Sequence, residues 1–317
     1  MSDTHQEGRM LPMKIGAQLA VTTHTIDAAT LARELEARGF ESYWAPEHTV
    51  VPKHPTIAFP MTGGEIPDVY HQMSDPFVVL GMMAAVTSTL RVATGVCLVP
   101  EHPPLTLAKA VSTLDAFSGG RFLFGLGTGW LREVTELHNP AAAAKPWGYT
   151  IDAVAAMKKL WAHESAKHDG EFVAFPEMVC DPRPVQRPHP PVIVGAQPTP
   201  IAAKRIAAWA DGWLATGVTP AQVAEFRTAL EAECDRIGRD PAELSITVGV
   251  RDPSEHIREA YAAAGVERLM VLLYNHPGTP IPLEDWAAVG VATLSAPAPT
   301  PAETLRALDA VTAMAGL

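Results

Sequence analysis

Eight short β-prone runs alternate with eight helical patterns along this 317-residue chain, and that alternation predicts a (β/α)8 TIM-like barrel. Two further observations favour this α/β fold with its parallel β-barrel. The β-prone runs are almost continuously apolar, as strands covered on both faces must be. The 29 prolines gather in connections such as DPRPVQRPHPP and HPGTPIP, leaving the elements between them intact. An open doubly wound sheet shares the alternation, but eight units with insertions fit the usual barrel size better.

The elements follow in order. KIGAQLA (14–20) is the first strand; behind it Ile26, Leu31 and Leu35 recur at helical spacing and Gly39 supplies a stop. FESYWAPEH (40–48) is the second strand. The long connection 49–74 is rich in Pro, Gly and apolar residues and reads as a lid or pocket wall, before the helix in DPFVVLGMMAAVTS. LRVATGVCLVP (90–100) leads into PPLTLAKAVSTLDAFSGG, and RFLFGLGTG (121–129) into a helix around 150–162. HPPVIVGA (189–196) precedes TPIAAKRIAAWADG, and GWLATG (212–217) precedes TPAQVAEFRTALEAECDRIG. LSITVGV (244–250) and RLMVLLY (268–274), each with a helical stretch behind it, complete the eight. Residues 1–12 read as a flexible N-terminal tail and 13–317 as one domain.

Composition excludes several classes of function. With 47% hydrophobic and 19% charged residues, the chain has ample material for a core. Lys and Arg total 24 against 35 Asp and Glu, a formal charge of −11, and no basic run tracks a phosphate backbone, so a nucleic-acid partner is not expected. Cys97, Cys180 and Cys234 are far apart and form neither a disulfide framework nor a zinc site. No signal-peptide pattern occurs, and no apolar run reaches the roughly 18–20 residues of a membrane span. A cytoplasmic protein acting on a small molecule is the expectation.

In a barrel of this kind chemistry sits at the C-terminal ends of the strands. Glu47 and His48, ending the second strand, therefore fall on the catalytic rim. GLGTGW (125–130) has GxGxG spacing but lacks the third glycine of a dinucleotide fingerprint, and is rejected as one. Its glycines permit either close backbone packing or the approach of a flat ring. After Gly195 and Ala196, Thr199 is an N-cap with Pro200 at the first helical position. Thr219–Pro220 repeats this after Thr216–Gly217, so two helix starts can flank one anion. The histidines show neither HxH nor HExxH spacing, and His54, His71, His138 and His276 read as solvent-facing loop residues; no metal site is expected.

Several of these stretches together resemble the luciferase-like monooxygenase superfamily, in particular its branch of oxidoreductases that use the deazaflavin coenzyme F420. The matching residues are GFESYWAPEH (39–48), LRVATGVCLVPEHPPLTLAKAVSTLDAFSGGRFLFGLGTGW (90–130), the hairpin-like DGEFVAF (169–175), RPVQRPHPPVIVGA (183–196) and WADGWLATG (209–217). The resemblance implies a luciferase-like barrel binding F420, or alternatively FMN, at the strand C-termini. It implies catalytic roles for His48, near the reactive ring carbon, and for Glu47, which hydrogen-bonds the cofactor. It places a non-prolyl cis peptide at Gly95–Val96, after Thr94, against the back of the ring. Gly127 and Thr128 match ring and ribityl contacts, Gly195, Ala196 and Gln197 match phosphate contacts, and Thr216 and Gly217 match another cofactor-side loop. The chain departs from the family pattern at Glu101, commonly basic, and at Trp147–Gly148, commonly Arg-Gly. Both changes remove positive charge, which with Phe59, Met61 and Tyr70 points to a neutral or apolar substrate. The alternatives are an FMN-dependent monooxygenase and a non-catalytic protein that binds a flavin or deazaflavin. Relatives often pair through helices, so a homodimer is expected.

Overall fold

A computed structural model describes residues 13–60, 64–280 and 294–317. The expected tail, residues 1–12, and Met61 lie outside the described residues. In chain order the strands are β1 (Lys14–Gln18), β2 (Ser42–Ala45), β3 (Arg91–Thr94), β4 (Cys97–Leu98), β5 (Phe122–Gly127), β6 (Ala166–Asp169), β7 (Ala174–Met178), β8 (Val192–Gly195), β9 (Gly212–Thr216), β10 (Ser245–Val250) and β11 (Arg268–Leu272). Eight of them close a parallel barrel in the order β1, β2, β3, β5, β8, β9, β10, β11, with β11 returning to β1. These are the eight runs the sequence singles out. β4 is a two-residue continuation beyond β3 that pairs with β5, and β6 and β7 form the separate antiparallel hairpin that the DGEFVAF stretch implied.

The helices are α1 (Ala28–Ala37), α2 (Val69–Gln72), α3 (Pro76–Ala85), α4 (Pro104–Phe117), α5 (Arg132–His138), α6 (Pro140–Ala144), α7 (Pro146–Ala162), α8 (Pro200–Trp209), α9 (Pro220–Ile237), α10 (Glu255–Ala263) and α11 (Pro301–Ala315). Where the sequence predicts one helix around 150–162, three follow β5, and the third begins at Pro146. The reason is local. Pro140 and Pro146 cannot lie inside a helix, so each opens a new one, and Asn139 caps α6 by accepting from the Ala142 amide at 3.1 Å. Thr199 and Thr219 cap α8 and α9 as expected, the latter in a full capping box with Gln222. Gly39 ends α1 in the left-handed conformation at φ 81°.

The core lies between barrel and helices, and a smaller cluster fills the barrel itself: Trp44, Ala93, Leu123, Ile193, Leu214 and Met270, all buried. At the strands' N-terminal end the fully buried Arg268 plugs the barrel. Its guanidinium donates to both Glu41 oxygens (2.7 and 2.8 Å) and to Thr247 Oγ1 (3.2 Å), beneath the Trp44 ring.

Much of the family-like sequence proves to be clips. The buried Asp115 of the TLD stretch accepts from the amides of Val185 and Gln186 (2.7 and 3.0 Å) and from Gln186 Nε2 (2.6 Å), tying α4 to the RPVQ segment. The Arg121 guanidinium of SGGR donates to the carbonyls of Ala84, Leu90 and Ser118. Asp152 on α7 holds the hairpin through His168 (2.7 Å) and the Phe172 and Val173 amides.

Candidate active site

The mouth of the barrel, at the strands' C-terminal ends, has an apolar floor. The Gly95–Val96 peptide is cis. Its Gly95 carbonyl accepts from Gln18 Nε2 (2.7 Å), and the Gly95 amide donates to Ala45 O (2.7 Å). The half-buried Val96 side chain lies across the mouth, where it and Leu272 pack on the cluster inside the barrel. A Cβ on Gly127 would come within 3.0 Å of Val96 Cγ2, and one on Gly195 within 2.9 Å of Val96 Cγ1. Both positions are glycine because Val96 occupies the space between them. The first glycine of GLGTG is tighter still: a Cβ on Gly125 would sit 2.0 Å from Thr94 O. Close packing therefore accounts for these glycines. The Thr94 hydroxyl, fully buried, donates to Gly125 O at 2.6 Å and so ties β3 to β5.

His48 forms one wall. Its ring packs edge-on against Tyr70 (centroids 5.0 Å apart) and Trp130 (5.6 Å), and Phe59 packs on both of those. Phe59 comes from the long connection after β2. With Ile66, Leu131 and Val134 it forms a satellite cluster that docks the connection onto α5, while Thr56 bonds Glu133 through its amide and hydroxyl (3.0 and 3.1 Å). The described part of residues 49–74, which the sequence reads as a lid or pocket wall, thus places Phe59 and Tyr70 in a cluster of rings at His48. Burial among these rings pushes the His48 pKa down to about 4, although the neighbouring Glu47 charge opposes the shift. His48 is consequently uncharged at neutral pH.

Glu47 points away from that wall. Its buried carboxylate accepts from the Leu98 amide (2.5 Å) and bonds His102 Nε2 (2.8 Å), so both oxygens are engaged by the segment following β3. Burial lowers the His102 pKa, but the hydrogen bond and charge of Glu47, helped by Glu101 and Asp75, outweigh it and leave the pKa raised. Cys97 stands beside the pair, with its sulfur, a Glu47 oxygen and a His102 nitrogen all within 4.8 Å of one another. The Glu47–His102 hydrogen bond accounts for the closeness of those two. Glu101, also buried, accepts from Thr49 Oγ1 at 2.6 Å, and burial followed by the Glu47 charge raises its pKa against the hydrogen bond from Thr49.

At the other side of the mouth, the loops after β8 and β9 lie together: Gln197 Nε2 donates to Thr216 O at 3.4 Å, and both residues are exposed, as is Gly217. Ala196 is committed on both sides. Its amide donates to Leu214 O (3.2 Å), and its carbonyl accepts from Trp213 Nε1 (2.8 Å). The Ala196 backbone thus extends the barrel ladder between β8 and β9. Arg205, one turn into α8, is stacked on Trp147 at 5.0 Å, which returns a cation to the neighbourhood where the Trp147 departure suggested one was lost. Gly127, Thr128 and Gly195 lie at the mouth as expected.

Other readings change with the structure. His71 and His138 lie on short helices, α2 and α5, and both are exposed. His276 is buried rather than solvent-facing, with Nε2 bonding the Arg251 carbonyl at 2.5 Å beyond β10. Arg251, buried on the same rim, has its pKa pushed down to about 10 by burial. Sequence reasoning passed over Arg251, His102 and Trp130. The last two carried a signal: Trp130 closes the glycine run, and His102 ends a second Pro-Glu-His, at 100–102, that repeats the one at 46–48.

With this geometry in place, comparison defines the class. The chain belongs to the luciferase-like monooxygenase family, whose sequence model matches residues 8–293. Among its relatives is the uncharacterized protein Rv0953c of Mycobacterium tuberculosis, 36% identical over 282 residues, covering 88% of this chain and 89% of that one. Among solved structures, the monooxygenase RslO1 from Streptomyces bottropensis superposes with a TM-score of 0.61 at 25% identity, covering 96% of this chain and 90% of that one. The coenzyme F420 dependent tetrahydromethanopterin reductase from Methanopyrus kandleri shares the fold, with a TM-score of 0.65 at 17% identity over 88% of this chain and 98% of the other. No helix among the described residues is long and apolar enough to cross a membrane.

Proposed function

We propose that this protein is an oxidoreductase that transfers a hydride between the deazaflavin coenzyme F420 and a small neutral or apolar organic substrate. One observation carries the reading: an uncharged His48 stands in an aromatic wall beside the half-exposed Val96 floor. A flat ring finds an apolar surface there, and a neutral substrate meets the rings of Tyr70 and Trp130 and an uncharged imidazole. The fit extends to the anionic end, where Gln197, Thr216 and Gly217 are exposed and Arg205 lies one turn into α8. Bound there, the coenzyme supplies the hydride chemistry.

The chain's own residues position and manage protons. Gly95, Val96, Gly127, Thr128 and Gly195 form the ring and ribityl surface, and Gln197, Thr216 and Gly217 take the phosphate end. Thr94 and Ala196 act from behind, by holding β3 on β5 and β8 on β9. A neutral imidazole accepts the proton released when a substrate hydroxyl or amine is oxidised, and returns it in the reverse direction. Glu47 steadies His48 by pinning the β2 end to Leu98 and His102. It is a positioning residue in this reading.

The likeness to RslO1, a monooxygenase, favours one second reading, an FMN-dependent monooxygenase. Titration of the purified protein with F420 and with FMN, followed by fluorescence, separates the two. Micromolar binding of F420 with weaker FMN binding is expected. Tighter FMN binding supports the second reading, and binding of neither overturns both. A His48→Ala protein that binds the coenzyme yet turns over substrate at the original rate removes His48 from catalysis.

A further inference from the structure

The tripeptide Pro-Glu-His occurs at 46–48, after β2, and again at 100–102, after β3, and the fold crosses the two copies over. Glu47 of the first bonds His102 of the second, while Glu101 of the second bonds Thr49, which follows the first. The first of these bonds explains itself, since both Glu47 oxygens have donors. The second does not.

The Glu101 side chain is 97% buried by its residue's 3% exposure, yet Oε1 has no hydrogen-bond partner among the described residues. A buried polar atom left in this state is costly unless it has a use. Oε1 lies under the Gly129 turn, where a Cβ on Gly129 would meet it at 3.5 Å, and the next residue, Trp130, packs on His48. Oε2 is joined to Thr49 Oγ1 at 2.6 Å. The same hydroxyl lies 3.1 Å from His138 Nε2, on an exposed ring at the end of α5.

We infer that His138, Thr49 and Glu101 form a proton relay joining solvent to a buried carboxyl group behind the Trp130–His48 wall, where Glu101 serves as a proton reservoir for the site. Thr49 suits the central place because a hydroxyl donates and accepts at once. In one direction the Glu101 carboxyl gives its proton to Thr49 Oγ1 as Thr49 gives its own to His138 Nε2, leaving a carboxylate and an imidazolium. In the other, the imidazolium N–H returns a proton to Thr49 and Thr49 returns one to Glu101. Nothing but protons moves, and the ends differ only in which carries the charge.

The surroundings strengthen the hold of Glu101 on a proton. Glu47 faces it from the end of β2 and disfavours a second carboxylate, and burial acts in the same direction. His102 next to it, Thr49 and the Thr135 hydroxyl of α5 act the other way, and the pKa remains raised. His48 holds a proton poorly in its apolar wall. A step that exchanges protons there needs a neighbouring store, and in this respect the inference rests on the hydride-transfer reading above.

The test reads the relay without any cofactor. In infrared difference spectra of the full chain followed through a pH titration, a protonated-carboxyl C=O band that persists above the usual carboxylate range is expected in the wild type and is absent in Glu101→Gln. On transfer to D2O that band shifts promptly in the wild type. In Thr49→Val, where exchange must wait for local opening, it shifts about ten-fold more slowly or less, and Thr49→Ser restores the rate. A band untouched by Glu101→Gln, or one that exchanges as fast in Thr49→Val, overturns the relay even if the cofactor reading is also wrong. Where the coenzyme binds, Glu101→Gln lowers turnover about 100-fold with coenzyme affinity unchanged. Small carboxylic acids added to the buffer recover part of the loss, and a pH–rate profile identical to the wild type's overturns the reservoir role.

Discussion

Glu47→Ala is expected to destabilise the protein by about 3–5 kcal/mol, the usual cost of removing one partner from a buried ionic pair. The figure follows from what the carboxylate holds. Its side chain is 2% exposed and accepts from the Leu98 amide at 2.5 Å and His102 at 2.8 Å. An orphaned buried amide costs about 1–3 kcal/mol, and a hydrogen bond to a charged group contributes about 1.5–3 kcal/mol. Glu47→Gln keeps the volume and an acceptor for Leu98, so it costs about 1–2 kcal/mol.

The pH dependence separates the pair from simple packing. His102 has its pKa raised above the ordinary 6.5 in the folded state. Its contribution is therefore fully present below that value and is lost as pH rises through the folded pKa. Urea unfolding at a series of pH values should show the wild-type advantage over Glu47→Gln greatest below pH 6.5 and shrinking above it. A gap that is flat or grows with pH refutes the pairing, and a Glu47→Ala loss under about 1 kcal/mol refutes the magnitude.

Three further outcomes follow from other parts of the molecule. His48 shows the opposite slope: with its pKa at about 4 instead of 6.5, it contributes stability above pH 6.5 that is lost toward pH 4, at most about 3 kcal/mol at about 1.4 kcal/mol per pH unit. Thermal melts of His48→Leu should lack that part of the wild type's acid sensitivity. Gly125→Ala drives a Cβ to 2.0 Å from Thr94 O, a backbone atom of the adjoining strand, and should cost more than about 3 kcal/mol in denaturant titrations; a melting point near the wild type's would mean that the strands separate readily there. Arg268→Ala leaves the half-buried Glu41 without its partner beside an empty plug at the far end of the barrel, for a loss of up to about 3–5 kcal/mol. Coenzyme affinity should survive it below the melting temperature, and its loss would tie the two ends of the barrel together.

The sequence alone determined the eight strands, their parallel order and the rim position of Glu47 and His48, because continuous apolar runs and their spacing are local properties that a barrel turns directly into place. The Thr-Pro caps of α8 and α9 were equally legible, since a cap is decided within four residues. The three helices after β5 were missed only where proline punctuation outweighed helical periodicity. Which way a rim side chain points was not legible. Glu47 and His48 are neighbours, yet successive residues leaving a strand turn to opposite sides, and only closure of β2 against β3 sends one to Leu98 and His102 and the other to Tyr70 and Trp130. The glycines of GLGTG likewise signal a close approach without saying by what; the answer, Thr94 O and the Val96 side chain, comes from a strand some 30 positions earlier. Burial, and with it the lowered pKa of His48 and the raised one of Glu101, depends on every element packed around a group, so the charge state of the site belongs to the tertiary structure.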